Sequence, residues 1–376
     1  MRSARERLLP GLAFSALVFA PVFYFSGRVA AREISSLYAL AWALFAGLTA
    51  FCIFYTGRVS FFRRIFFSVS ALAFLVHFKF GMFIKGFAAS CFKDTPYCHI
   101  AVAPSFLNYL YQQYLAFMSG DWKLWGPLSL VFIWLFATLV IGRAWCSWAC
   151  FYGGIDDGLC ALPPKAPLKT GRWATKVRDF PAALLIFMLL VSFSTMLPAY
   201  CLWLCPFKLT GRFLDAGTPW IRTAQYGLMV FALAALVLGP LLTKKRIFCS
   251  YLCPFGAWQA FWGRLNPFRV SVDPQKCVSC LACSDACPVC AITCEPGQKA
   301  EINAYCNLCG QCLEACARGG IKYSILGLDA PYAEGGFARL LNPESFLVFS
   351  SLTLGAVFAS LWAPAALRDL ALIISR

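Results

Sequence analysis

RIFCSYLCPFGAWQ (residues 246–259) sets two cysteines four apart, between the basic run Lys244, Lys245, Arg246 and a segment rich in aromatic residues. The residues before it, 223–243, are mainly apolar. A run of about 20 such residues suffices to cross a hydrocarbon core of roughly 30 Å. The stretch therefore reads as the end of a membrane helix that carries thiols at its polar boundary.

The rest of the chain supports a membrane reading. Of 376 residues, 60% are hydrophobic and 13% charged, with a mean hydropathy of +0.68, outside the usual range for a soluble globular protein. Seven stretches qualify as spans: about 9–26, 34–56, 66–88, 125–142, 180–199, 223–243 and 346–367. Residues 104–119 read instead as an amphipathic interfacial helix, with Phe106, Leu110, Tyr114 and Phe117 set against Asn108, Gln112 and Gln113. The basic start and the "VAA" at 29–31 would also suit a cleaved signal peptide, but the length of the apolar run favours an uncleaved helix.

Charge sets the orientation, because short cytoplasmic loops are enriched in Lys and Arg. With the N-terminus inside, fifteen basic residues fall on the inner side, among them Arg58, Arg63, Arg64, Arg143 and Lys244 to Arg246, against nine outside. The expected location is a bacterial-type cytoplasmic membrane. Topology and contact with anionic lipid account for the net charge of +16, so nucleic acid is not an expected partner.

Residues 264–330 differ in character: they are polar and hold ten of the twenty cysteines. CVSCLACSDACP (277–288) and CNLCGQCLEAC (306–316) both carry C-x2-C-x2-C-x3-C. In this spacing three thiolates wrap one cubane and the fourth cysteine reaches the other. Cluster one is thus expected on Cys277, Cys280, Cys283 and Cys316, and cluster two on Cys306, Cys309, Cys312 and Cys287. Zinc favours paired C-x2-C knuckles, and a cytoplasmic placement disfavours disulfides. Ala317 stands where proline often follows the last cysteine, and the two additional thiols, Cys290 and Cys294, read as packing residues.

The opening stretch has a twin. RAWCSWACFYGG (143–154) aligns with RIFCSYLCPFGA (246–257) at an offset of 103 residues, matching Arg143 to Arg246, Cys146 to Cys249, Cys150 to Cys253 and Gly153 to Gly256. On a helix, residues i and i+4 share a face, so each C-x3-C would present two thiols in one direction. The two pairs either converge on a four-thiolate iron–sulfur or metal site or remain structural dithiols that fill gaps between helices. A third pair, Cys201 and Cys205 in CLWLCPFKLTGR, falls on the expected outer side with Cys91 and Cys98. There disulfides, an outer metal or cluster site, and plain packing all remain open.

Without C-x2-C-H there is no covalent haem c. Of the two histidines, His77 lies in the third expected span, and an intramembrane ionisable group is a functional candidate, here for a quinone oxygen or a proton. It would serve equally as a helix-contact residue. Asp156 and Asp157 read as solvated loop acids. No phosphate loop or dinucleotide fingerprint is present.

Taken in order, a helix bounded by "RR…GMF" (63–83), GRAWCSWAC (142–150), CPFKLTGR (205–212), RIFCSYLCPFGA (246–257) and the ferredoxin tail resemble the NapH-type membrane quinol dehydrogenases, with NosR and CcoG-like polyferredoxins sharing parts of the pattern. The resemblance covers about residues 61–325. It implies a four-span core with cytoplasmic clusters, passing electrons from quinol toward an extracytoplasmic redox protein. Phe151 departs from the proline usual there, and the Cys201 and Cys205 pair is not general in NapH.

The expected architecture is a polytopic α-helical membrane protein of about seven spans with an inserted α+β two-cluster ferredoxin domain. Residues 1–56 supply two N-terminal helices, 57–263 the core, 264–330 the ferredoxin-like domain and 343–376 a last helix. The reaction class is oxidoreductase electron transfer. A membrane thiol–disulfide reductase fed by clusters and a copper or cofactor assembly factor are the rivals.

Overall fold

The computed structural model describes residues 4–30, 36–84, 98–120, 126–169, 177–209, 218–294, 298–325 and 342–375. Helices α1 (Ala4–Ala30), α2 (Ser36–Thr56) and α3 (Val59–Ile84) open the chain. Small residues let α1 and α2 approach closely: the buried face of α2 runs Ala39, Ala43, Ala46, Gly47, Ala50. A Cβ on Gly47 would stand 3.3 Å from both Phe19 Cβ and Ser15 O. Such small-residue faces pack helices where no hydrophobic drive separates helix from lipid.

The described residues contain four helices long and apolar enough to cross a membrane, Leu8–Arg28, Ser36–Thr56, Val59–Phe78 and Pro219–Thr243. Two bent pairs, Phe132–Trp148 with Phe151–Ala161 and Pro343–Ala359 with Ala363–Ile374, raise the number to six if each is one span. Among the described residues, four to six of the expected seven spans are thus met by length and composition. The fifth expected span is the 16-residue helix Phe180–Thr195, about 24 Å long at 1.5 Å per residue, and the chain then folds inward through the short helix Ala199–Trp203. Residues 106–118 form the expected separate helix, with Asn108 and Tyr109 buried and Asn108 Nδ2 donating to Ser192 O at 2.9 Å.

The terminal helices are part of the same core. Trp42 Nε1 donates to Ala356 O (3.0 Å), Ser26 and Ser360 join through their hydroxyls (2.8 Å), and Trp362 Nε1 donates to Ser70 O (3.1 Å).

Residues 268–325 form a small α+β unit. Strand β1 (Phe268–Val272) pairs antiparallel with β4 (Ile321–Ile325), pairing Phe268 with Ile325 and Val272 with Ile321, and β2 (Ile292–Thr293) pairs with β3 (Glu301–Ile302). The unit is internally repeated at an offset of 29 residues. Helices Ala282–Ala286 and Gln311–Ala315 follow left-handed residues at Ser279 and Leu281 in one half and Leu308 and Gly310 in the other. The repeat extends to Cys290 and Gly319, both at positive φ. Non-glycine residues rarely hold this conformation, and its recurrence shows that the cysteine loops dictate the backbone.

Three basic junctions meet this unit on one face of the helical body. Ser60 N, at the start of α3, donates to Glu314 Oε1 (2.8 Å), Arg143 Nη1 to Ala304 O (3.0 Å) and Arg246 N to Pro288 O (2.7 Å). The grouping of these junctions on one side, read from charge, thus holds in space.

Candidate metal centre

The four cysteines expected at cluster one, Cys277, Cys280, Cys283 and Cys316, line a single cavity of about 210 Å³ walled by Val272, Leu281 and Ile321. Cys294, read from sequence as packing, lines it too. Backbone N–H groups point at the sulfurs: Gly320 N donates to Cys316 Sγ and, in the other half, Ala291 N to Cys287 Sγ, both at 3.3 Å. The N–H groups of Ala300 and Ser279 hold the Cys277 thiol below its ordinary pKa. Cys287, Cys306, Cys309 and Cys312 gather within electrostatic reach of one another. Burial raises the Cys287 thiol and pushes Cys306 up to about 12. Thiolates there would require a compensating positive core, of the kind an iron cluster would supply. Among the described residues no three His, Cys, Asp or Glu side chains close on one point as a single ion requires; the sulfurs of the first set line an open cavity instead.

Below this unit the twin motifs lie close together and depart from the helical form expected of them. Cys146 lies in the turn Trp145–Trp148 and Cys249 in the π-turn Phe248–Leu252. Cys150 (ψ 118°) and Cys253 (ψ 111°) are extended and begin helices Phe151–Ala161 and Pro254–Trp262. The pairs are therefore not on one helical face, because each motif breaks at its second cysteine. That break turns N–H groups toward sulfur: Gly153 toward Cys150, Phe255 and Gly256 toward Cys253. All four thiols share one neighbourhood, Cys150 interacting with Cys146 and Cys253, Cys249 with Cys150 and Cys253, and Cys253 with Cys146.

Buried charge holds this arrangement. Arg246 Nη2 donates to Cys146 O (2.8 Å) and approaches Cys249 Sγ (3.5 Å). Asp156 accepts from Cys249 N (3.0 Å), and Asp157 pairs with Arg63 (3.0 Å) and Arg64 (3.3 Å). Asp156 and Asp157 are fully buried, so they are not the solvated loop acids the sequence suggested. Gly153 occurs because no side chain fits there: a Cβ would stand 2.4 Å from both Arg246 Nη2 and Cys146 O. The ferredoxin-like unit sits directly over the motifs, with Ser147 Oγ donating to Asn307 O and Lys245 Nζ capping the carbonyls of Ser284, Asp285 and Cys287 at 2.8–3.1 Å.

The largest departure from expectation concerns the thiols assigned to the outer side. His99 Nε2 lies 3.1 Å from Cys150 Sγ, and Cys205 Sγ lies 3.2 Å from Tyr152 Oη. Cys98 interacts with both Cys205 and Cys253. Inner and outer sets are thus neighbours, because segments 98–105 and 199–209 fold into the helical body instead of staying at its far edge. Cys201 is buried beside Tyr200; Cys91 lies outside the described residues. His77 is elsewhere: its Nδ1 meets Asp369 Oδ2 at 2.9 Å, and Arg368 pairs with the same carboxylate at 3.0 Å. Seventeen residues separate it from Ser60 along α3, about 25 Å, so it stands at the end remote from the ferredoxin-like unit. No sequence signal marked His99, whose approach to Cys150 is purely tertiary. Arg143 and Arg246 did carry one, their equivalence in the repeat.

A helical membrane body with repeated thiol motifs capped by a cysteine-rich α+β unit defines a membrane-embedded iron–sulfur electron-transfer protein. A family model described as a 4Fe-4S binding domain matches residues 124–168, 180–220 and 226–272. Each match holds one C-x3-C pair, so the segment with Cys201 and Cys205 falls within the pattern. The chain is similar to the ferredoxin-type protein NapH of Haemophilus influenzae (28% identical over 198 residues, 50% of this chain and 65% of the relative). It is also similar to the methylamine utilization ferredoxin-type protein MauN of Methylobacillus flagellatus (33% over 156 residues, 41% and 50%) and the putative electron transport protein YccM of Escherichia coli (25% over 205 residues, 51% and 53%). No solved structure matches. The chain is thus similar, over about half of its length, to the NapH, MauN and YccM type of ferredoxin-type proteins, and three of its segments match a 4Fe-4S binding domain. It spans about half to three quarters of the length of the curated relatives it matches.

Proposed function

We propose that the protein passes electrons between membrane hydroquinone, or a cytoplasmic donor, and an extracytoplasmic redox partner. Two [4Fe-4S] clusters are held by Cys277, Cys280, Cys283 and Cys316, and by Cys306, Cys309, Cys312 and Cys287. A third centre is held by Cys146, Cys150, Cys249 and Cys253, with Cys201 and Cys205 beside it. Residues 264–330 lie on the cytoplasmic side and the body, 57–263, carries helices 1–56 and 343–376 around it. When bound, such clusters store and release single electrons without proton bookkeeping of their own. The chain fixes their separation, excludes water and sets hydrogen bonds to sulfur.

The observation that carries this reading is the seating of one thiol tier on the other: Arg143, Ser147 and Arg246, all within the twin motifs, hold the backbone at Ala304, Asn307 and Pro288, beside Cys306 and Cys287. His77, backed by Asp369, is the candidate group for hydroquinone at the remote end. Cys98 and Cys205 lie within electrostatic reach of each other, which favours a second reading, a thiol–disulfide exchange site fed by the clusters. The test is anaerobic iron and sulfide counting with EPR during a hydroquinone titration. About twelve irons, reduced by hydroquinone, are expected from three cubanes, and about eight would remove the third centre. Loss of turnover on substituting only Cys98 or Cys205, with electron delivery to the clusters intact, would favour the second reading.

A further inference from the structure

We infer that His99 donates a hydrogen bond to the Cys150 sulfur and thereby raises the reduction potential of the centre formed by the twin motifs. The inference rests on the proposal that these motifs hold a cluster. The Nε2 to Sγ distance is 3.1 Å, and the imidazole is 1% exposed. Five rings enclose it: Phe255 at 4.8 Å, Phe151 at 5.5 Å, Trp134 at 5.8 Å, Trp145 at 6.0 Å and Phe358 at 6.1 Å between centroids. This cage keeps water from competing for Nε2.

An iron-bound thiolate only accepts, so a proton must reside on Nε2 of the imidazole, which then gives its N–H to the sulfur. Hydrogen bonds to cluster sulfur are among the groups that set cluster potentials. Their weight grows where the surroundings are apolar. The sign follows from charge. Reduction adds an electron shared by iron and sulfur, so a donor at sulfur stabilises the reduced form more than the oxidised form. The arrangement is also one-sided: the repeat twin, Cys253, takes the backbone N–H groups of Phe255 and Gly256, whereas Cys150 meets an imidazole. The two equivalent second cysteines of the repeat are thereby distinguished.

The experiment is an anaerobic redox titration of the full-length protein in detergent, followed by EPR, on wild type, His99→Leu and His99→Gln. His99→Leu is expected to lower the midpoint potential of the third centre alone, leaving both ferredoxin-type signals in place as an internal control. His99→Gln, which keeps an N–H at similar reach, is expected to restore most of the shift. A third centre that titrates unshifted in His99→Leu overturns the inference. Equal shifts, or equal loss of the centre, in both variants also overturn it, since His99 would then be a packing residue. Absence of the third signal from wild type removes the proposed cluster and the inference with it, a result distinct from the other two.

Discussion

Alanine at Gly153 and alanine at Gly256 are the same change at equivalent positions of the repeat, and the structure predicts unequal outcomes. The added Cβ at 153 would lie 2.4 Å from Arg246 Nη2, 2.4 Å from Cys146 O and 2.9 Å from Phe67 Cζ. At 256 the nearest atoms are Cys249 O at 3.2 Å and Arg143 Nη2 at 3.8 Å. Both positions are helical, where alanine is better than glycine by about 1 kcal/mol. At 153 overpacking costs about 1–3 kcal/mol. Displacing Arg246 from Cys146 O leaves a buried guanidinium short of an acceptor, for about 1–3 kcal/mol more. The net expectation for Gly153→Ala is a loss of about 3 kcal/mol, roughly a hundredfold in the folding equilibrium. Gly256→Ala is expected to fall between neutral and about 1 kcal/mol more stable. Reversible unfolding of both variants in one mild detergent reads the difference. Equal stabilities, or a less stable Gly256→Ala, would refute the reasoning that the Arg246 bridge is sterically closed at 153 and open at 256.

Asp157→Asn strands Arg63, since both side chains are 0% exposed, and is expected to cost about 3–5 kcal/mol, measured by the same unfolding assay. Lys245→Met removes the cap on three carbonyls of the loop ending at Cys287 and should speed amide exchange over residues 282–291 while leaving α1 and α2 unchanged. Cys280→Ser is expected to remove or convert one centre and loosen the α+β unit, because metal binding and folding are coupled there; limited proteolysis within 268–325 reports it. Cys146→Ser should leave iron in that unit intact yet halt hydroquinone-dependent reduction, and unaltered reduction would remove Cys146 from the pathway.

Much of this protein is written in local sequence. Apolar runs longer than a bilayer demand helices, and C-x2-C-x2-C-x3-C spacing fixes loops whose left-handed turns at Ser279, Leu281, Leu308 and Gly310 the structure shows. The 103-residue repeat announced that Arg143 and Arg246 would be equivalent, and basic loops announced which helix ends share a face. Short-range periodicity misled where the chain breaks. The C-x3-C pairs were read as helical, yet Cys150 and Cys253 are extended starts of new helices, because a turn that exposes N–H groups to sulfur competes with helix continuation.

Hydropathy alone cannot distinguish a full span from a short helix followed by an inward fold, so 180–199 was read as a span and Cys201, Cys205 and Cys98 were assigned to the far side. Only tertiary packing brought His99 to Cys150, Cys205 to Tyr152 and His77 to Asp369. These pairs are separated by tens to hundreds of residues, and no periodicity encodes a contact between segments that meet only when several helices close around them. The sequence by itself determined the kinds of ligand and their spacing, since chelation and membrane solvation act on neighbouring residues. The three-dimensional closure of the body decided which thiols and histidines share a site.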